Sequence, residues 1–320
     1  MGVIVLEKNT ALIAAIKAFR QNRKVTQQEL GESPTRYAKI EATGNIRFNE
    51  WLTYLEKLEV TPTEFLKFME LQEGQNNFIL EVERLLSNAF DDPEFIFNKR
   101  KIIEYYSILD NKENKSTAEF SLYIDIKIYF CDIYDEISPL TYEDYKYFYK
   151  LFTKKFETQE FYTYYDYRVF SNIVFELPVS ELSKTENIFQ HVFPLKHSLA
   201  RDKKTLYVAF LAYPNFISRL IYEEKYEKAQ AYLKQARKQN IPKNQYLINL
   251  QLTYLELLLD YIKKQTPKKL AKIDELINAI NIYGHKDLAE QMSREVKMLT
   301  EGSEDKKTSG DYPKTVERNI

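Results

Sequence analysis

The sequence predicts an all-α chain, on three observations. Only seven Gly and ten Pro stand among 320 residues, too few turn-formers for a sandwich or barrel of many short strands. Apolar residues recur at helical spacing through segments separated by short polar or proline-containing breaks. Two capping boxes, Thr26–Glu29 and Thr61–Glu64, mark helix starts by their own chemistry: a hydroxyl and a carboxylate satisfy free backbone amides reciprocally. Hydrophobic residues at 44% supply a sizeable core, and charged residues at 29% an ordinary water-facing surface.

Five short helices are expected in the first 72 residues. Thr10 can cap the first, whose apolar positions Leu12, Ile13, Ile16 and Phe19 share one face. Arg20, Arg23 and Lys24 load its last turn, where cations suit the helix dipole. Thr26 opens a second helix that ends at Gly31. Ser33 then caps and Pro34 takes the first position of a third, Pro34–Glu41. Thr43–Asn45 is a break, Asn49 begins a fourth helix through Trp51, Leu55 and Leu58, and Thr61 opens a fifth through Phe65 and Phe68.

Residues 73–77, EGQNN, form a polar linker and the expected domain boundary. Beyond it the expected helices are Phe78–Phe90, Glu94–Leu109, Ala118–Ile137, Tyr142–Phe156, Phe161–Leu177 and one from Ser183. The Tyr-rich stretch within them tempts a base-stacking role. Tyr142, Tyr145, Tyr149 and Phe152 follow helical spacing, however, which favours packing. The last third is the most regular. Leu206–Glu224 pairs with Tyr226–Gln239, residues 244–265 pair with Lys268–Tyr283, and Lys286–Leu299 follows. Helix pairs recurring about every 40 residues suggest a tetratricopeptide-like α-solenoid over residues 78–300, with a concave face suited to an extended peptide. Residues 301–320 have no apolar periodicity and are expected to form a flexible tail.

Charge separates the two regions. Residues 1–47 hold eight Lys and Arg against four Glu, a net of +4 in a chain whose formal total is −1. A basic head on a slightly acidic body fits a nucleic-acid-binding module. Cys131 is the single cysteine, so no intrachain disulfide framework exists and a reducing compartment is expected. His191, His197 and His285 are scattered and no CxxC pair occurs, so neither a metal nor another cofactor is expected. No carboxylate pair, Ser/His/Asp set or Gly-rich phosphate loop stands out, so no enzyme is expected. The apolar N-terminal run is too short for a signal peptide, and Leu6 stands where a myristoylation motif wants Ser or Thr. No stretch approaches a membrane span. The expected location is the cytoplasm.

With TQQEL opening the second helix and KIE closing the third, the head resembles the helix-turn-helix domain of phage-repressor-like regulators. That resemblance implies a third helix lying in the DNA major groove, its N-terminal side chains on base edges. Thr35, Arg36 and Lys39 would face DNA, Tyr37 and Ile40 would pack inward, and Gln27 would sit near a phosphate. Arg36 is the residue expected on a base edge, since its planar fork matches two guanine acceptors. One departure stands out: only GESPTRYAK separates TQQEL from the IE pair, about four residues fewer than that family spends. The alternative is a degenerate head that only dimerises.

SNIVFELP (Ser171–Pro178), PNFISRLIYEEKYEKAQAYL (Pro214–Leu233), LTYLELLLDYI (Leu252–Ile262) and INAINIYGHKDLAEQ (Ile277–Gln291) occur in an order similar to that of plasmid pheromone-receptor regulators of the PrgX and TraA type. This resemblance implies a cytoplasmic receptor for a short hydrophobic signalling peptide. Its body would bind the peptide and dimerise, pairs of dimers would join to loop DNA, and its head would control, as a repressor, an operator of conjugation genes. Asn and Gln can donate to and accept from a peptide backbone at once. Asn172, Asn215 and Gln251 are therefore the polar candidates, with Phe175, Tyr207, Phe210, Leu211 and Tyr254 as apolar lining. The tail after Leu299 is the candidate switch element. The alternative function is a peptide-binding adaptor that sequesters a protein partner and carries a vestigial head.

Overall fold

The computed structural model describes residues 2–31, 33–73, 78–158, 161–195, 201–239, 241–242 and 245–300. Among them are sixteen α-helices, one 3-10 turn at Val179–Glu181 and no strand, as the scarcity of turn-formers predicts. The chain separates into two compact units, Met1–Glu81 and Val82–Ile320. Residues 74–77 of the expected linker and the expected tail, 301–320, lie outside the described residues.

The first unit holds α1 (Gly2–Asn22), α2 (Gln27–Leu30), α3 (Pro34–Thr43), α4 (Phe48–Leu58) and α5 (Pro62–Glu73). Helix α1 begins eight residues before the expected Thr10 cap. No Pro or internal Gly interrupts Val3–Asn9, so nothing forces the helix to wait for a capping hydroxyl. The capping box at Thr26 forms as expected, with Thr26 Oγ1 accepting from Glu29 N–H at 3.2 Å and Glu29 accepting from Thr26 N–H at 2.7 Å. Ser33 caps α3 by accepting from Arg36 N–H at 3.2 Å. That helix runs two residues past the expected Glu41, to a left-handed Gly44 at φ 67° whose N–H reaches Ile40 O. Ile13 and Ile16 of α1, Leu30, Tyr37 and Ile40, Leu58 of α4 and Phe65 of α5 make one core.

The deletion seen in the sequence falls on α2, which is reduced to a single turn. Its carbonyl end is closed by Gly31 N–H on Gln27 O at 3.0 Å and by Lys57 Nζ on Leu30 O at 3.0 Å. Gly31 lets the chain pass close to α3, for a Cβ there would stand 3.0 Å from the Tyr37 Cβ.

Helix α6 (Phe78–Asp91) starts in the last residues of the first unit, and the second unit continues with α7 (Ile96–Asp110), α8 (Thr117–Phe130), α9 (Tyr142–Thr158), α10 (Tyr164–Ile173) and α11 (Leu182–Val192). There follow α12 (Lys203–Tyr222), α13 (Tyr226–Lys238), α14 (Tyr246–Lys263), α15 (Pro267–Ile282) and α16 (Lys286–Thr300). Helices α8, α10, α12 and α14 pack side by side as an inner layer, α13 returns the chain from α12 to α14, and α15 carries it from α14 to α16. Hydrogen bonds fix their register. Asn172 meets Asp125 across 47 residues of sequence, Asn215 meets Ser171 across 44, Gln245 meets Lys203 across 42 and Tyr254 meets Met292 across 38. These intervals are the repeat of about 40 residues that helical-pair arrays show.

Position in the array explains the composition of the inner helices. Residues 120–128 of α8, 166–173 of α10 and 208–221 of α12 are all buried. Helices covered on every side are mostly apolar, and the charged residues Asp125, Lys127, Asp166 and Arg168 that these carry are paired. The Tyr-rich stretch does pack, but through Phe148 and Phe152, both fully buried, while Tyr142 at its start is exposed. Two expected helices differ in extent. Helix α8 stops at Phe130 instead of Ile137. Turns carry the chain on, with Tyr134 O–H donating to Pro93 O at 2.6 Å. Helix α10 starts at Tyr164 because Thr163 and Asp166 form a capping box there, and it ends at Ile173.

Candidate functional site

Two regions hold the residues singled out in the sequence. In the first unit, α3 buries Tyr37 and Ile40 completely and leaves Thr35, Ala38, Lys39 and Ala42 exposed. Those four positions follow i, i+3, i+4, i+7 spacing, so they form one stripe along the helix. Tyr37 donates no charge to that stripe; burial pushes its hydroxyl up to about 12, and Arg20 Nε donates to it at 3.1 Å.

Arg36 is engaged within the chain. Its Nε donates to Glu50 Oε1 at 2.8 Å and an Nη donates to Glu50 Oε2 at 2.6 Å. Glu50 is the third residue of α4, and Oε2 also accepts from Arg47 N–H at 2.9 Å. The Arg36 bond and then the Arg47 amide hold the Glu50 carboxyl down at about 2. The fork expected on a guanine edge is thus closed on a carboxylate. Gln27 is exposed, and its Nε2 donates to Glu41 Oε2 at 3.3 Å, with Lys17 3.8 Å from the same oxygen.

In the second unit the candidate peptide-lining residues converge on the inner layer, and they are covered. Asn172, Phe175, Phe210, Leu211, Asn215, Gln251 and Tyr254 are buried, and Tyr207 is half-buried. Asn172 Nδ2 donates to Asp125 Oδ1 at 2.5 Å, and Asn215 Nδ2 donates to Ser171 O at 2.8 Å. Tyr254 O–H donates to Met292 O at 3.3 Å, and Phe175 packs edge-on against Tyr222. Buried polar atoms without a hydrogen-bond partner among the described residues include both amide atoms of Gln251 and the Asn215 Oδ1. A buried polar atom without a partner costs about 1–3 kcal/mol, so this layer holds hydrogen-bonding capacity that its own helices do not use.

Sequence reasoning missed the charged groups of this layer. Arg168 of α10 lies 2.6 Å from Glu83 Oε1 and 2.6 Å from Asp125 Oδ2, all three shielded from water. Burial pushes the Asp125 carboxyl up, against the pull of Arg168 and of the Asn172 amide. Glu295 of α16 is pushed up to about 7 by burial, which the Tyr254 and Tyr222 hydroxyls only partly offset. A signal for Asp125 existed, since it interrupts the apolar run FSLYIDIKIYF. Glu295 gave none, because SREVKM reads as an ordinary solvated turn.

Among the described residues no helix is long and apolar enough to cross a membrane. No protein-family model matches the chain, and no curated protein matches it. Solved structures do. A complex of PrgX with iCF10 superimposes with a TM-score of 0.71 at 20% identity, over 92% of this chain and 90% of that one. A complex of PrgX with cCF10 gives 0.70 at 21% identity, over 91% and 93%. The SHP pheromone receptor Rgg2 of Streptococcus dysgalactiae gives 0.66 at 12% identity, over 89% and 99%. The resemblance in the sequence to PrgX-type regulators therefore extends to the fold, across both units.

Proposed function

We propose that this chain is a peptide-responsive regulator of transcription: its helical array receives a short hydrophobic peptide, and its N-terminal unit binds duplex DNA. One observation carries the reading. The chain matches PrgX over about nine-tenths of both lengths, and PrgX has been solved with cCF10 and with iCF10. Two features of this chain support it. Helix α3 exposes Thr35 and Lys39 on a unit with a basic head, and the inner layer holds unpartnered amide atoms on Gln251 and Asn215. Those atoms suit a peptide backbone, which offers both donors and acceptors. Because the candidate residues are buried, the peptide would have to part inner helices to reach them, and it would then favour the parted arrangement. In the cytoplasm, acting as a homodimer or as paired dimers, such a protein would act as a repressor of conjugation genes whose DNA binding or oligomeric state its peptide switches.

The adaptor reading has its own support, since α2 is a single turn and Arg36 is tied to Glu50. A mobility-shift titration on DNA from upstream of the gene, across a series of salt concentrations, separates the two. The regulator should bind with strong salt dependence, as phosphate contacts release counterions, and Lys39→Ala should weaken that binding. Absence of binding at every salt concentration selects the adaptor. Calorimetry against short hydrophobic peptides encoded near the gene tests the receptor half, with Gln251→Leu expected to weaken binding.

A further inference from the structure

We infer that Glu50 determines which side chains of α3 read DNA: it retains Arg36 as a positioning residue and leaves recognition to Thr35, Ala38 and Lys39. This rests on the reading of the first unit as a DNA-binding module. The pair is built from both ends. Two parallel N–H donors of one guanidinium meet two oxygens of one carboxylate at 2.8 and 2.6 Å, the geometry in which the arginine fork binds most strongly. Glu50 is itself fixed, because its Oε2 also accepts from the Arg47 amide, and its place in the first turn of α4 suits a negative charge. Arg36 lies in the first turn of α3, where its own amide is capped by Ser33. The pair therefore joins the starts of two successive helices, with side chains only 30% and 16% exposed.

The consequence is a changed set of DNA contacts. To reach a guanine edge Arg36 would give up both bonds and strand Glu50 beside the phosphates. The exposed stripe Thr35, Ala38, Lys39, Ala42 needs no such exchange. It offers one hydroxyl, one ammonium and two methyl groups, the last suited to the methyl of thymine. In effect Glu50 neutralises one cation of the basic head at the place where recognition by α3 would begin.

Salt dependence of binding to a mixed-sequence DNA duplex, followed by fluorescence anisotropy with the full chain, tests this directly, because each phosphate contact contributes about 0.9 to the slope of log affinity against log salt. Arg36→Ala is expected to leave the wild-type slope unchanged, whereas Lys39→Ala lowers it by about 0.9. Glu50→Ala is expected to steepen it by a similar amount as Arg36 is released to a phosphate, and Arg36→Ala added to Glu50→Ala should restore the wild-type value. Glu50→Gln, which keeps one acceptor for the Arg47 amide but loses the charge and the second oxygen that hold Arg36, is the variant to use if Glu50→Ala does not fold, with the same direction expected. A purely structural pair would change the melting temperature in the Arg36 and Glu50 variants and leave their slopes at the wild-type value, which counts against the inference. A slope that falls with Arg36→Ala in the wild-type background overturns it while leaving DNA binding intact. Absence of wild-type DNA binding removes the underlying reading as well.

Discussion

In the first unit Arg36 and Glu50 meet at helix starts, close to water; in the second, Arg168 and Asp125 meet in the middle of helices, away from it. Arg36 and Glu50 join the first turns of α3 and α4 and remain partly exposed. Arg168 and Asp125 face each other from the interiors of α10 and α8, with side chains 3% and 0% exposed. The same ion-pair chemistry does different work in the two places. At a helix start a carboxylate has backbone amides and the helix dipole to hold it, so the pair orients a surface. Inside the array Asp125 is compensated by Arg168 and the Asn172 amide, and Arg168 by Asp125 and Glu83, so the pair fixes which residue of one helix lies against which residue of the next.

The largest expected effect tests the buried half of that contrast. Arg168→Ala would leave Asp125 without its cation in the interior and Glu83 with Lys204, 3.9 Å away, as its remaining cation, and removing one partner of such a set costs about 3–5 kcal/mol. Chemical denaturation of the second unit should read a loss of that order, while Arg36→Ala should lower the stability of the first unit by much less. Equal losses would erase the distinction between the two kinds of pair.

Glu295 sharpens it through pH. Its carboxyl is raised from 4.5 to about 7 in the folded chain, so the folded form keeps a proton that the unfolded form gives up between those values. Stability from this group is fully present below pH 4.5 and is lost as pH rises to about 7. The shift corresponds to roughly 3 kcal/mol. Glu295→Gln keeps an acceptor for the tyrosine hydroxyls without a titrating proton, so its unfolding free energy should be flatter than the wild type's across that window. Glu50 behaves oppositely, since its carboxyl is held at about 2: the stability it contributes is present above the ordinary carboxylate range and disappears only as pH falls toward 2. Parallel pH profiles for wild type and Glu295→Gln would remove the carboxyl from the account.

Legibility followed the same division. In the first unit two helix starts are written in the sequence: Thr26 with Glu29 and Ser33 with Pro34 set starts that the structure reproduces, whereas α1 begins well before Thr10. Local chemistry decides such features, and a single sequence contains it. What it did not contain was the partner of Arg36, because Glu50 lies fourteen residues away and nothing local says which acid a surface arginine will take. In the second unit the helical pattern and its repeat of about 40 residues were readable from apolar spacing, whereas burial on both sides was not. Asn172, Asn215 and Gln251 look like groove residues because amides suit a peptide backbone, and they turn out to lie within the layer. The sequence period tells which residues share a face, and only the fold tells whether two neighbours or one cover that face.

Gly31 offers a medium-sized test on the first unit, at the turn where the chain is shortened. A methyl group there would stand 3.0 Å from the Tyr37 Cβ and 3.3 Å from Gln27 O, positions that belong to α3 and to the closing hydrogen bond of α2. Neither is the free end of a flexible side chain. Gly31→Ala should therefore lower stability by about 1–3 kcal/mol, the range for overfilling a packed site, and should weaken DNA binding by displacing α3. A variant as stable as wild type would mean that the single-turn α2 can shift, and α3 with it.

The smallest effect compares the two units with a single lesion. Ser33 caps α3 by accepting from Arg36 N–H, and Ser116 caps α8 by accepting from Glu119 N–H, both at 3.2 Å. Replacing either serine with Ala removes the same hydrogen bond and costs about 1 kcal/mol. The thermal response should nevertheless differ, because the entropy of unfolding grows with the size of the cooperative unit. About 1 kcal/mol shifts the midpoint by roughly 4–8 °C in a unit as small as Met1–Glu81 and by roughly 2–4 °C in one the size of Val82–Ile320. Calorimetry should then show two transitions, with Ser33→Ala moving one and Ser116→Ala moving the other by less. A single transition moved equally by both variants would show that the units unfold together, and the contrast drawn between them would apply to their chemistry and not to their stability.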